Sequence, residues 1–274
     1  MKARIVRDLP LAAYLAIPSV HFSTLKAADT SALHYRHAVD HARADTAALT
    51  LGRILHAAIL TPDAPIGVAV WDGTRRGKAW EAFEAANGHM TIVTRTQLDT
   101  SRAMRAAVLA HPIARALLSE GEGEVTIEWD AGALPSRARL DWLRPNGSIV
   151  EVKTTRSIHP RAFAADFARR MYHAQLAFYS RGLTEAQGHG PPELPAMIVV
   201  ESQPPFDVCV YRIGYDSLEA GERKVSEWLR TVEACTTSGR WPGVGADVMD
   251  MRLPDWALGD GLPDVDMGTI GGDE

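Results

Sequence analysis

The chain has 274 residues, 46% of them hydrophobic, and a formal net charge of −5. That is ample for a buried core in one large domain or two small ones, and it excludes a protein coated in positive potential. Its two cysteines, Cys209 and Cys235, stand apart, which excludes a disulfide scaffold or a paired-cysteine metal site and fits a reducing compartment.

The start, Met1 to Asp8, lacks the apolar run of a signal peptide. No later stretch approaches the roughly eighteen apolar residues of a membrane span, so a cytoplasmic protein with no membrane partner is expected. The N-terminal third reads as helical. Ser23-Thr24-Leu25-Lys26 opens a short helix, and Asp45 to Leu60 forms a longer one ended by Thr61-Pro62-Asp63. In the longer helix Leu49, Ile54, Leu55, Ala58 and Ile59 recur at helical spacing; one side is core and His56 lies beside it. Trp80 to Ala86 and Gln97 to Ser119 also read as helices, the second interrupted at His111-Pro112 because proline disfavours a helical predecessor.

From Glu124 the period changes to two: Val125, Ile127 and Trp129 alternate with Thr126 and Glu128. Strands follow at Ala138 to Leu143 and Ser148 to Thr154, in an antiparallel meander. Between them Pro145-Asn146-Gly147-Ser148 is turn chemistry, since Asn-Gly supplies the positive φ of a tight hairpin. On the second strand Glu151 and Lys153 share one face while Val150 and Val152 point to the other. A long amphipathic helix is expected from Arg161 to Gly182, with Phe163, Phe167, Met171, Leu176, Phe178 and Tyr179 on its buried side. Strands at Ala196 to Glu201 and Val208 to Ile213 and a closing helix from Tyr215 to Ala234 complete the order, with no internal repeat. This predicts an α/β (α+β) fold with a central mixed β-sheet flanked by helices. One structural domain is expected, with residues 1–120 its helical N-terminal part, 121–257 its catalytic core and 258–274 a disordered tail rich in Asp and Gly.

The chemistry gathers on the hairpin. Asp141, Glu151 and Lys153 offer oxygen ligands for a hard divalent cation and a positive charge near an attacking water or scissile phosphate, as metal-assisted phosphodiester hydrolysis needs. The bare spacing also occurs on solvated strand faces. Its company adds weight: Gly52-Arg53-Ile54-Leu55-His56 on a helix, Gly123-Glu124 at a strand start, and Tyr172-His173-Ala174-Gln175 with Tyr179 on the helix after Lys153. Basic residues cluster at Arg75-Arg76-Gly77-Lys78 and flank the hairpin at Arg161 and Arg169. Arg137, Arg139, Arg156 and Arg170 are candidate phosphate contacts, which would give affinity without sequence readout.

This ordered set resembles the PD-(D/E)xK nuclease superfamily, and within it the exonuclease VIII (RecE-like) type of phage and prophage recombination nuclease, with kinship to lambda exonuclease and the RecB nuclease domain. The resemblance runs from about His21 to Trp256. It rests on Leu25-Lys26 with Thr30-Ser31-Ala32-Leu33-His34-Tyr35, Gly52 to His56, Arg139 to Asp141, Glu151 to Thr155, Tyr172 to Tyr179, Arg240-Trp241-Pro242 and Leu253-Pro254-Asp255-Trp256. Two positions depart from the family pattern: Leu140 stands where a proline usually precedes the aspartate, and Glu151 where close relatives often carry aspartate.

The resemblance implies a restriction-endonuclease-like core in which Asp141 and Glu151 bind Mg²⁺ or Mn²⁺, with the Val152 carbonyl and the His56 imidazole completing the shell. Glu124 would serve a second metal, with Glu120, Glu122 and Glu128 close enough to take its place. Lys153 would position or deprotonate the attacking water, and Gln175 and Tyr179, one helical turn apart, would hold the lysine or the substrate phosphate, although Tyr179 is equally suited to core packing. The implied function is a Mg²⁺-dependent exodeoxyribonuclease acting on linear double-stranded DNA ends, 5′ to 3′, leaving single strands for an annealing protein, and assembled as a homo-oligomeric ring. The alternative is a catalytically silent DNA-binding or assembly module of the same fold, against which the intact Asp141, Glu151 and Lys153 argue. Restriction-like cleavage would need an added specificity element that the sequence does not show.

Overall fold

The structure, a computed structural model, describes residues 2–41, 46–61, 67–189, 193–245 and 248–253. The chain begins with β1 (Arg4–Val6), α1 (Leu11–Ala16), β2 (Val20–His21) and α2 (Phe22–Leu25), which runs into a 3₁₀ turn at Lys26–Asp29. Then come α3 (Ala32–Asp40), α4 (Ala47–Leu60), β3 (Val68–Val70), α5 (Lys78–Asn87), β4 (Thr91–Val93), α6 (Arg95–Ala110) and α7 (Pro112–Leu117). The second half holds β5 (Glu122–Ala131), β6 (Leu134–Leu143), β7 (Ile149–Thr155), α8 (Pro160–Arg169), α9 (Tyr172–Gln187), β8 (Ala196–Glu201), β9 (Val208–Arg212) and α10 (Tyr215–Ser238).

Among the described residues the main sheet has seven strands in the order β1-β5-β6-β7-β8-β9, with β2 also paired to β6, and β3 and β4 form a separate two-stranded sheet. The expected meander is there: β5, β6 and β7 are successively antiparallel. The hairpin closes as its residues dictate, with Arg144 N–H donating to Ser148 O and Gly147 N–H to Arg144 O, both at 3.0 Å, and Gly147 at φ 83°. The crossover through α8 and α9 makes β8 parallel to β7. The sheet is therefore mixed and flanked by helices, as the sequence predicts.

Alternation along β8 divides the interior in two. Met197 and Val199 enter a core with Leu176 and Phe178 of α9 and Trp228 of α10, while Ile198 and Val200 enter another with Leu55 and Ile59 of α4 and Met104 and Val108 of α6. A strand covered on both faces has no polar side to show, hence the apolar run Ala196-Met197-Ile198-Val199-Val200. The familiar C-terminal motif has a packing role: Trp241 stacks on Tyr35 at 5.7 Å and Pro242 O accepts from Leu33 N–H at 3.0 Å.

Several expectations need correction. The single helix over 161–182 is two, because Met171 takes a left-handed φ of 58° and turns α9 away from α8. The N-terminal part is not purely helical: β1 pairs with β5, β2 pairs with β6, and β3 and β4 flank α5. Strands of two or three residues carry too little alternation to register as a period. The break at His111-Pro112 stands, with proline at the first position of α7. Asp45, Pro62, Asp63, the stretch Pro254-Asp255-Trp256 and the expected tail at 258–274 lie outside the described residues. No helix among the described residues is long and apolar enough to cross a membrane.

One feature of the sheet positions the candidate site. On the side of β6 that faces β7, Trp142 and Leu143 pair with Val150 and Ile149, whereas Ser136 and Arg137 pair with β2. Between these two pairings the strands fork, and Asp141 stands at the crotch.

Candidate metal and catalytic site

Asp141 on β6 and Glu151 on β7 face each other across the fork, and the carboxylate of each takes a backbone amide from the opposite strand. Asp141 N–H donates to Glu151 Oε1 at 3.2 Å, and Val152 N–H donates to Asp141 Oδ2 at 2.8 Å. Each carboxylate thus satisfies an amide that the ladder leaves behind, which is how a buried edge avoids orphaned donors. Lys153 follows on the face that period two assigns to it. Its Nζ lies 2.6 Å from Glu151 Oε2 and 3.5 Å from Asp141 Oδ2, with the Tyr172 ring 5.6 Å away.

Residues from both cores reach this trio. From the α9 side, Gln175 Nε2 donates to Glu151 Oε2 at 3.1 Å and to the Tyr179 hydroxyl at 2.9 Å, so the pair one turn apart does face the acid. Tyr179 is both things the sequence left open, packed in the core and bonded into the site. From the α4 side, His56 Nδ1 lies 3.4 Å from Asp141 Oδ1 and its Nε2 lies 2.8 Å from the Val152 carbonyl. The carbonyl expected to complete a metal shell is therefore engaged by His56. With Nε2–H donating to it, Nδ1 keeps the lone pair that can meet a cation.

Glu124 enters from β5. The β5–β6 register runs from Gly123↔Trp142 to Val125↔Leu140 across Glu124, whose φ is 56°. In that unbroken register Glu124 stands opposite Asp141, and one ligand atom from each of His56, Glu124 and Asp141 lies within 4.8 Å of the others. Glu120, Glu122 and Glu128 are not in this group; Glu122 pairs with Arg7 and Glu128 with Arg4. An imidazole and two carboxylates at this spacing could hold a divalent metal cation. Glu151 sits one step behind, its oxygens taken by the Asp141 amide, Lys153 and Gln175.

Charge explains the titration of the cluster. Burial disfavours ionisation of Asp141, but His56 and Lys153 outweigh it and hold the group well below the usual carboxylate range. Glu151, more deeply buried and facing the Asp141 charge, is pushed up to about 7. Burial would lower Lys153, yet Asp141 and Glu151 hold it well above its ordinary value. Burial likewise opposes protonation of His56, and the Asp141 carboxylate reverses that and raises it.

The arginines divide. Arg156 and Arg170 are exposed, and Arg170 lines a cleft of about 520 Å³ with Ser23, Lys26, Ala27, Arg169 and Met171, next along the chain to Tyr172. Arg137 and Arg139 correct the expectation of phosphate contact. Arg137 is 4% exposed and its Nη1 donates to Ile17 O and, at 3.0 Å, to Ser19 O and Oγ. Arg139 Nε donates to Glu124 Oε2 and its Nη1 to Leu9 O at 2.8 Å. The residue that sequence reasoning missed is Tyr14, whose ring lies 4.9 Å from the Arg137 guanidinium carbon and 5.6 Å from that of Arg139. A lone tyrosine in Leu11-Ala12-Ala13-Tyr14-Leu15-Ala16 carries no spacing signal that could have found it.

Comparison with known proteins agrees with this fold. A solved structure described as a putative exonuclease from Eubacterium rectale superposes with a TM-score of 0.64 at 12% identity, covering 94% of this chain and 100% of that one. At that identity the likeness speaks for the fold alone. Scheffersomyces stipitis Rai1, solved with (3′-NADP)⁺ and a calcium ion, matches 68% of this chain and 58% of its own at 13% identity, and its TM-score of 0.29 is too low to carry an argument. No curated protein matches. The family described as a PDDEXK-like domain of unknown function (DUF3799) matches residues 21–250. With that match spanning most of the sequence and the acid-acid-lysine cluster at the fork of its sheet, the chain belongs to the DUF3799 family of PDDEXK-like domains.

Proposed function

We propose that this protein is a divalent-metal-dependent nuclease that hydrolyses DNA phosphodiester bonds from the ends of linear duplexes. The observation that carries the reading is the meeting of Asp141, Glu151 and Lys153 at the fork, with His56 and Glu124 placed to complete a cation site. PDDEXK nucleases as a class use divalent metals, and a cation held there would polarise a water and a phosphate oxygen. His56, Glu124 and Asp141 would hold it, while Glu151 takes Lys153 and Gln175. Lys153, whose Nζ lies 2.6 Å from Glu151 and 3.5 Å from Asp141, would present positive charge to the phosphate as negative charge grows on it. The cleft with Lys26, Arg169 and Arg170 gives the sugar-phosphate backbone a basic wall beside Tyr172.

Exonucleolytic action on DNA ends, 5′ to 3′ polarity, a ring-shaped homo-oligomer and a single-strand annealing partner belong to the same proposal and rest on the sequence resemblance. The test is digestion of linear duplexes labelled at the 5′ or the 3′ end, beside covalently closed circles, with Mg²⁺ or with EDTA. The expected result is Mg²⁺-dependent loss of the 5′ label from linear DNA only, with Lys153→Ala slower by about 10²–10³-fold. Cleavage of closed circles would overturn the exonuclease reading, and Mg²⁺-dependent binding without any cleavage would establish the silent module instead.

A further inference from the structure

The segment from Leu9 to Ser19 crosses the sheet between β1 and β2, and nothing about its apolar content explains where it lies. Within α1 every residue except Tyr14 is exposed, Leu11 at 49% and Leu15 at 61%. A helix of six residues has no stability of its own, and this one has no buried face to anchor it. What holds the segment is a set of contacts to two arginines of β6. The carbonyls of Ile17 and Ser19 and the Ser19 hydroxyl take Arg137, the Leu9 carbonyl takes Arg139, and the Tyr14 ring covers both guanidiniums.

Arg139 passes the constraint on. Its Nε holds one oxygen of Glu124, and Glu124 is the residue of left-handed φ whose carboxylate stands beside His56 and Asp141. An exposed arginine would hold a carboxylate weakly, because two long side chains must be ordered in water. Roofed by Tyr14 and tied to a backbone carbonyl, Arg139 has few other places to go, and its bond to Glu124 is charge-assisted and shielded. Carboxylates that bind metals are commonly oriented by such outer partners.

Building on the reading of this site as a divalent-cation site, we infer that the Leu9–Ser19 strap is a working part of it: Tyr14 and the Leu9 carbonyl fix Arg139, and Arg139 positions Glu124 as a metal ligand. Tyr14 is thus a positioning residue, acting on the metal through two others.

The test measures Mn²⁺ binding without DNA, by titration calorimetry and by the paramagnetic resonance of free Mn²⁺, on the full chain. Tyr14→Ala should weaken Mn²⁺ binding by about 10-fold with little change in melting temperature, and Tyr14→Phe, which keeps the ring face, should restore it. Leu15→Ala, on the exposed side of the same helix, should bind as the unaltered protein does. If Tyr14→Ala fails to fold, Tyr14→Leu keeps the apolar cover while removing the ring face and should show the same loss. Glu124→Gln should weaken binding at least as much as Tyr14→Ala. Affinity within twofold of the unaltered protein in a folded Tyr14→Ala or Tyr14→Leu, or in Glu124→Gln, would overturn the inference. Failure of the unaltered protein to bind Mn²⁺ would instead overturn the metal-dependent function beneath it.

Discussion

Glu124 spends energy on its place: a glutamate at φ 56° is strained by about 1–3 kcal/mol, a cost that persists where neighbours over-determine the conformation. Here those neighbours are Arg139 and the paired strands on either side. His21 is a second residue set by its surroundings. Burial and the Arg137 charge push its imidazole down to about 4, while its Nδ1 shares a 2.7 Å hydrogen bond with Ser23 Oγ. The unfolded chain, with an ordinary value near 6.5, therefore takes up a proton that the folded protein refuses. Stability is complete above pH ~6.5 and falls as the pH drops toward 4. His21→Gln should flatten that decline, narrowing the loss between pH 7 and pH 4.5 by roughly 2 kcal/mol in urea melts; equal losses in both proteins would rule this origin out. At this scale the sequence was informative where residues sit close along the chain. Asp141, Glu151 and Lys153 share one hairpin, and Gln175 and Tyr179 share one helical turn. Arg137 and Arg139 read as phosphate contacts because their partners, Leu9, Tyr14, Ile17 and Ser19, lie more than a hundred residues upstream.

Elements carry the site residues to one another, and their crossings tolerate little change. Gly221 of α10 lies against α9 so closely that a methyl there would come within 2.6 Å of the His173 carbonyl carbon and 2.9 Å of the Ala174 Cα. Both are backbone atoms, so the helix itself must shift. Gly221→Ala should cost about 1–3 kcal/mol, and for a chain of this length lower the melting temperature by several degrees. Because His173 stands two positions before Gln175, nuclease activity should fall along with it; a variant that melts earlier at full activity would uncouple the helix crossing from the site. The meander, the hairpin turn and the helix break at Pro112 were legible because proline, Asn-Gly and alternation each act locally. The break at Met171 was not. No glycine or proline marks it, and the apolar positions on either side continue at helical spacing, so only tertiary packing shows the turn.

Across the whole molecule, two hydrophobic cores meet a single sheet, one beneath α9 and α10 and the other beneath α4 and α6. His56 comes from the second, and Glu124 and Asp141 from the sheet, so a cation bound by all three would cross-link elements that unfolding must separate. Mg²⁺ at a hundred times its dissociation constant should stabilise the fold by about 2.7 kcal/mol, seen as a higher melting temperature that EDTA reverses. Absence of that shift in the intact protein, with a normal melt otherwise, would argue that the three groups do not bind one ion. The fold class was legible at this scale because the order of helical and strand periods suffices for it, while the partner of each short N-terminal strand was not. A sheet is ordinarily a partition, and side chains on its two faces never meet. The fork beside β6 turns this one into a window: Gln175 looks in from one room and bonds to Glu151, and His56 looks in from the other and meets Asp141 and the Val152 carbonyl. A change made in either core therefore has a direct line of sight to the chemistry, without travelling around the edge of the sheet.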